Sequence, residues 1–593
     1  MYQISVKQYD GSCPIREEVW KLGEGQEKEF TEIPCRVQYD RSITEEGEYF
    51  VIRATATQDM EKPFSVVFEA VVEDWKRTEY VFMPAAAYDG NRMESVRIPY
   101  PPYHVGKTEN GWEPFITDIP HLDKQRKDSA IQLLSGDMSC PVMGYFDEEA
   151  KRGLLFLGRH QIQKRYTGFT VREKETRAEF SISCPGVREK NTYYFGDLPN
   201  GEGFYPTCAV PSDDEGILLK KGESIAFEVL WKNVEAENLN GYFTQFNRVR
   251  ETLEKGEDFD SIPFSKAFEE IKEKYIKMNF TEEGYYRVGT ENTAPPSFWQ
   301  SGWTGGGMNS YPLLMEDQGL AHKQSISTLR FIVEHLQREN GWYIPMYKEG
   351  KAYGDIFFDT KQPVALVRKN ADLLYFLLKQ AMYLKEHQEM IPGLEESMRA
   401  QADAFVRFFE KYGELGQFLR MDTEELLEGG TACGAIAPAA LALAYEYFEN
   451  AAYLNVAEKL GEQYLTRNLR KGILNGGPGE ICQAPDSESA FAYLESCVQL
   501  YETTGKEMWL EAAKEAFELA ITWVVSYDFA FPEDSMAKRM GAHSRGTCLL
   551  YTSILQPEFF EILWGYQVPA LSRELFFRSK RGSEFLQEYL VFD

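Results

Sequence analysis

Ala442-Leu443-Ala444-Tyr445-Glu446-Tyr447-Phe448-Glu449-Asn450, continued by Tyr453-Leu454-Asn455-Val456-Ala457-Glu458-Lys459, reads like a later stretch of the same chain. That stretch is Ser496-Cys497-Val498-Gln499-Leu500-Tyr501-Glu502-Thr503-Thr504-Gly505, continued by Trp509-Leu510-Glu511-Ala512-Ala513-Lys514. The copies lie roughly 55 residues apart, the length of a helix, a turn and a second helix. Apolar residues recur at i, i+3, i+4 and i+7 in both, and again over residues 265–275, 323–336, 369–384, 394–409 and 544–554. About six such hairpins would fill the second half of the chain. Hairpins in series bury their apolar faces on one another, either as an open superhelix or as a closed ring. Here the loops carry most of the Gly, Pro and Trp of this half, which suits a ring with a lined cleft. The pattern predicts an (α/α)6 toroid over residues 263–593.

Upstream the period changes from 3.6 to 2. Tyr49–Ala56, Phe64–Val71, Gly153–Gly158 and Ser224–Trp231 alternate or run continuously apolar, with turn signals such as Tyr88-Asp89-Gly90-Asn91 between strands. Many short strands without intervening helices predict an antiparallel β-sandwich over residues 1–240. Residues 241–262, a helical patch followed by charge and Pro263, are expected to form the linker.

With 593 residues the chain can bury more than one core. A formal net charge of −29 leaves no excess of Lys and Arg to neutralise phosphates, which argues against a nucleic-acid partner. The 9 cysteines show no C-x-x-C pairing, and His322, His335 and His387 lack ligand spacing, so neither a disulfide ladder nor a metal site is expected. No apolar run reaches the ~18–20 residues that span a bilayer, and the chain starts without a basic, apolar leader, so a cytoplasmic location is expected. The oligomeric state is left open, a homo-oligomer included.

Chemistry is sought in the loops. Asn475-Gly476-Gly477-Pro478-Gly479-Glu480-Ile481-Cys482-Gln483-Ala484-Pro485-Asp486-Ser487-Glu488-Ser489 delivers Asp486 and Glu488 to the start of a helix. Either carboxylate could serve as an acid in a cleft, and Asp486 could equally be a helix cap. Trp342-Tyr343-Ile344-Pro345-Met346-Tyr347 leads to Asp355 and Asp359, aromatics beside carboxylates, in which Trp342 and Tyr347 are candidates to stack on a ligand. Trp299-Gln300-Ser301-Gly302-Trp303-Thr304-Gly305-Gly306-Gly307-Met308-Asn309 offers Trp303 as a ring-stacking wall and Asn309 as a polar contact. It lacks the spacing of a phosphate loop. His543-Ser544-Arg545-Gly546-Thr547, at an expected helix start, could hold an anion, or Arg545 could pair with a nearby acid.

A β-sandwich followed by an (α/α)6 toroid resembles several inverting glycoside hydrolase and phosphorylase families. Within that architecture, residues 75–92, with Tyr80-Val81-Phe82-Met83-Pro84-Ala85-Ala86-Ala87-Tyr88-Asp89-Gly90-Asn91-Arg92, and residues 299–317 resemble family 154 glycoside hydrolases, a group associated with β-glucuronidase activity. The resemblance implies a carbohydrate substrate, cleavage beside a uronic acid, and no metal or organic cofactor. It also implies that the loop carrying Arg92 reaches the cleft. Two carboxylates would share the work: Asp486 or Glu488 as acid, Asp355 or Asp359 as base. A polysaccharide lyase, a phosphate-dependent disaccharide phosphorylase and a non-catalytic glycan-binding protein are the alternatives.

Overall fold

In the computed structural model the described residues are 1–23, 25–92, 119–189, 191–197, 204–253, 263–287, 289, 298–302, 307–316, 319–355, 363–478, 483–528, 534–539, 541 and 543–547. The fold is an antiparallel β-sandwich followed by an (α/α)6-type helical toroid. One sheet of the sandwich has six strands, in the order Cys13–Lys21, Tyr2–Asp10, Phe64–Glu73, Arg177–Cys184, Gly168–Glu173, Ser129–Leu134. The other has eight: Glu27–Phe30, Cys35–Thr44, Gly47–Ala56, Ser224–Glu235, Arg152–Leu157, Val142–Asp147, Tyr80–Met83 and Ala87–Tyr88. Ile4, Val6, Phe64, Phe68, Phe169 and Phe180 of the first sheet meet Val37, Phe50, Ile52, Val81, Phe156 and Phe227 of the second in one apolar core.

The eight-stranded sheet is buried on both faces at its Val142–Leu157 end. Successive side chains on a strand point to opposite faces. Leu154 and Phe156 therefore enter the sandwich core, while Leu155 and Leu157 enter a second core shared with the helices. Val81 and Met83 divide from Tyr80 and Phe82 in the same way. This explains why Gly153-Leu154-Leu155-Phe156-Leu157 is continuously apolar in an otherwise alternating domain.

Residues 241–253, expected in the linker, belong to a packed helix, α1 (Leu239–Leu253). Phe243 and Phe246 set their rings against Phe82, with centroids 5.4 and 5.0 Å away, and Tyr242 donates its hydroxyl to the Leu154 carbonyl at 2.9 Å. On the other side Asn247 Nδ2 donates to the Glu518 carbonyl at 3.0 Å, and Arg250 donates to the Ile521 carbonyl at 2.6 Å. Aromatic spacing makes this segment a helix that both halves bury. Residues 254–262 lie outside the described residues.

The toroid runs through α2 (Phe264–Lys274), α3 (Ser310–Leu314), α4 (Leu320–His335), α5 (Val367–Glu386), α6 (Leu394–Tyr412), α7 (Ala437–Phe448), α8 (Ala451–Arg467), α9 (Ser487–Thr504) and α10 (Glu507–Ala520). Helices α5, α7 and α9 pack side by side, with α4, α6, α8 and α10 behind them. The sequence repeat corresponds to α7–α8 and α9–α10. Residues 544–547 form a turn rather than the start of a helix, because Asp528 gathers their backbone and side-chain donors; the rest of that expected helix lies outside the described residues. No described helix is long and apolar enough to cross a membrane.

Hydroxyls and aromatics also lock the halves together. Tyr80 donates to the Gly472 carbonyl at 2.7 Å, Tyr88 shares a 2.6 Å hydrogen bond with Thr522, and the Tyr88 ring stacks on Trp523 at 5.0 Å. Trp523 is fully buried, so Trp523→Ala should cost about 3–5 kcal/mol of stability through lost burial and a cavity at the seam. Chemical denaturation checks this, and a loss below about 1 kcal/mol would contradict a continuous core across the two halves.

Candidate functional site

The first turn of α5 puts two charges four residues apart on an apolar helix, Arg368 and Asp372, which face each other at 3.1 Å. Arg368 also forms an ion pair with Glu488 in the first turn of α9. All three side chains are buried. A buried carboxylate needs a partner for its charge, and here one guanidinium is shared by two at the starts of α5 and α9, where helix N-termini favour negative charge. The inner-helix N-termini thereby meet at one charged cluster.

Asp486 sits two residues before Glu488 and is wholly buried. It caps α9: Oδ1 accepts the Ser489 N–H at 2.6 Å, and Oδ2 accepts the Ser489 hydroxyl at 2.9 Å and the Gly477 N–H at 3.0 Å. Burial pushes its pKa up to about 6 against the pull of those hydrogen bonds. Gly477 must lack a side chain, since a Cβ there would lie 2.5 Å from Asp486 Oδ1. Both oxygens being occupied, Asp486 shapes the loop that presents Glu488.

Asp355 reaches the same region from the chain before α5. Its Oδ2 accepts the Leu366 N–H at 2.7 Å, and its Oδ1 pairs with Lys369, which also donates to Gln300 Oε1 at 3.1 Å. The Trp299 loop closes over this point: Ser301 donates to the Lys369 carbonyl at 3.3 Å, and a Cβ on Gly302 (φ +59°) would lie 2.8 Å from Asp372 Cβ. The glycine allows that close approach.

A further carboxylate was not singled out from the sequence. Glu428 ends the strand Glu425–Glu428, which continues a small sheet through Phe418–Arg420 to Val364–Leu366, directly before α5. It is 3% exposed, and burial lifts its pKa from the ordinary 4.5 to about 7. Its side chain accepts from Gln483 Nε2. Gln417 links Glu428 to the cluster: its N–H donates to the Glu428 carbonyl at 2.7 Å, and its own carbonyl accepts the Val367 N–H at 2.9 Å, one residue before Arg368. The signal in the sequence was an acid following Leu426-Leu427 and preceding Gly429-Gly430. For Arg368 and Asp372 it was charge at i, i+4 within an apolar helix.

The structure thus brings Asp486, Glu488 and Asp355 to the starts of α5 and α9. Asp359 and Trp303 lie outside the described residues. Trp342 is fully buried against Phe405 and Phe408 and donates to Glu424 at 3.0 Å, so its ring is core and not a ligand platform. Tyr347 sits on the small sheet with Trp299 and donates to Glu283 at 3.0 Å; Asn309 donates to the Tyr275 hydroxyl. Arg92 is buried inside the sandwich, pairing with Asp89 at 2.9 Å and with Glu173, where it ties strands rather than reaching across. Arg545 and His543 pair with Asp528 at 3.1 and 3.3 Å. Burial works to raise the Asp528 pKa, and the hydrogen bonds from Arg545 and His543 outweigh it.

No family model matches the chain, and no curated protein matches it. Among solved structures it is distantly similar to a polysaccharide lyase, at 10% identity over 88% of this chain and 76% of that one, with a TM-score of 0.38. A D-mannose isomerase matches at 12% identity over 57% and 86%, with a TM-score of 0.37. The unsaturated glucuronyl hydrolase of Bacillus sp. GL1 matches at 14% over 46% and 73%, with a TM-score of 0.31. Likenesses this distant say nothing of the chemistry.

The Glu428 environment sets a pH dependence of stability. Its folded-state pKa lies above the unfolded value, so folding takes up a proton between pH 4.5 and about 7, and stability falls as pH rises through that window. Glu428→Gln removes this contribution. The variant should match the parent near pH 4 and exceed it at pH 8 by on the order of 3 kcal/mol, at 1.36 kcal/mol per unit over about two and a half units. Denaturant melts at both pH values check this; a variant less stable than the parent at pH 8 would contradict it.

Proposed function

We propose that the protein is a glycoside hydrolase that cleaves by inversion with two carboxyl groups. The observation that carries this reading is two carboxyls in unlike environments, Glu428 on the small sheet that leads into α5 and Glu488 in the first turn of α9. Among the described residues Glu428 is buried without a cation and holds its proton near neutral pH, while Glu488 is compensated by Arg368. Environments that separate two carboxyls in this way are what acid and base roles require. Glu428 donates its proton to the departing oxygen. Glu488 receives a proton from the water that attacks the anomeric carbon. Inversion calls for ~6.5–9.5 Å between the two carboxyls, enough to seat that water.

The substrate we assign is a β-glucuronide-like glycoside bearing a uronic acid. Its support is the family 154-like sequence of residues 75–92 and 299–317. Arg545, Arg368 and Lys369 each already face a carboxylate, so charge at the site adds nothing to that assignment.

A panel of aryl glycosides that includes the β-glucuronide tests both parts. Turnover of the glucuronide is expected, with kcat falling as pH rises through about 7 because the acid form of Glu428 is lost. Glu428→Gln should lower kcat/KM by roughly 10²–10⁴-fold on a phenyl glycoside. Turnover only of neutral glycosides would remove the uronate. An unsaturated product absorbing in the ultraviolet, or an unimpaired Glu428→Gln, would overturn hydrolysis through Glu428.

A further inference from the structure

Gln483 is held more tightly than a loop residue needs to be. Its backbone is left-handed at φ +58°, a conformation unfavourable for any residue that carries a Cβ. Its N–H donates to Gln417 Oε1 at 3.0 Å, and its carbonyl accepts from Asn475 Nδ2 at 2.9 Å. Gln417 also donates to the Pro478 carbonyl at 3.0 Å, so one buried amide grips the loop at both 478 and 483. These constraints aim the Gln483 side chain, itself buried, at Glu428.

The direction of that amide is fixed by chemistry. Gln483 Nε2 also lies 3.1 Å from the Gly429 carbonyl, which can only accept. The nitrogen, not the oxygen, must therefore face Gly429 and Glu428. Its two hydrogens go one to each. Glu428 Oε1 is then an acceptor, and a proton on that carboxyl resides on Oε2.

We infer that Gln483 is a positioning residue for Glu428, occupying Oε1 so that the transferable proton sits on Oε2. This rests on the reading of Glu428 as the acid. Among the described residues around Glu428, Glu414 accepts the Gly430 N–H at 2.6 Å and Arg420 pairs with Glu425 at 3.1 Å, while the Gln483 amide meets the Glu428 carboxyl itself.

The test measures the proton affinity of Glu428 without using activity. The stability difference between the full-length parent and its Glu428→Gln variant is followed from pH 4 to 9, and its midpoint reports the carboxyl. The same difference is then taken in a Gln483→Met background. That change removes a donor that favours the carboxylate, so the midpoint should move up by about one unit, a tenfold change in proton affinity. On a substrate that is turned over, the fall of kcat with rising pH should move up by the same unit, with KM within about twofold. Should Gln483→Met not fold, Gln483→Leu serves, since it removes the same donor without adding charge. An unmoved midpoint in a folded variant overturns the inference and makes Gln483 a loop tie. A shifted midpoint in a protein that hydrolyses no glycoside supports the positioning role and sinks the hydrolase reading alone.

Discussion

Burial of the wider sheet on both faces is the constraint from which the arrangement of this molecule follows. A sheet with one wet face could end the domain. Here Leu155, Leu157, Tyr80 and Phe82 have no water to face, and the apolar surface that covers them is helical. Helix α1 fills that role and then continues the chain into the toroid, so the passage between the halves is itself part of a core. The seam also sets the loops of the helical half. Gly472, whose carbonyl receives the Tyr80 hydroxyl, opens the segment that runs through Gln483 to the Asp486 cap. The β-sandwich therefore anchors one end of the loop on which the candidate site depends.

At the other end of that loop the physics is electrostatic. Three buried carboxylates, Asp372, Asp486 and Glu488, crowd the starts of α5 and α9. Helix N-termini favour negative charge, and Arg368 pairs with two of the three, while backbone and hydroxyl donors satisfy the third. Glu428 differs because its neighbour Gln483 offers a neutral amide, so burial prevails and lifts its pKa to about 7. A fold selected for stability alone gains little from such a group.

Much of this was legible from the sequence, for identifiable reasons. The change of period from 2 to 3.6 marks the two halves, and the repeat at residues 442–459 and 496–514 corresponds to helix pairs α7–α8 and α9–α10. Asp486 and Glu488 could be placed because Pro and Gly fix the loop that precedes a helix. Trp342 could not be read correctly: an aromatic among aromatics looks the same in sequence whether it faces a ligand or Phe405 and Phe408. Arg92 misled for a related reason: its partner Glu173 stands 81 residues away, and no local pattern reveals such a pair. Arg545 follows the other of its two readings and pairs with an acid, Asp528. Glu428 was missed because what distinguishes it is burial beside a neutral amide, a property of the packed sheet.

The central claim is that Glu428 protonates the departing oxygen, and its dependence on the leaving group tests this most directly. A phenol that departs readily as an anion needs little help from an acid, whereas a poor leaving group depends on it. The measurement is kcat/KM of the parent and of Glu428→Gln over a series of aryl glycosides whose phenols span a range of acidity. The account predicts a deep loss on the least acidic phenols that shrinks progressively as the leaving group improves. An equal loss across the whole series would show that Glu428 supports the fold of the site and is not its acid.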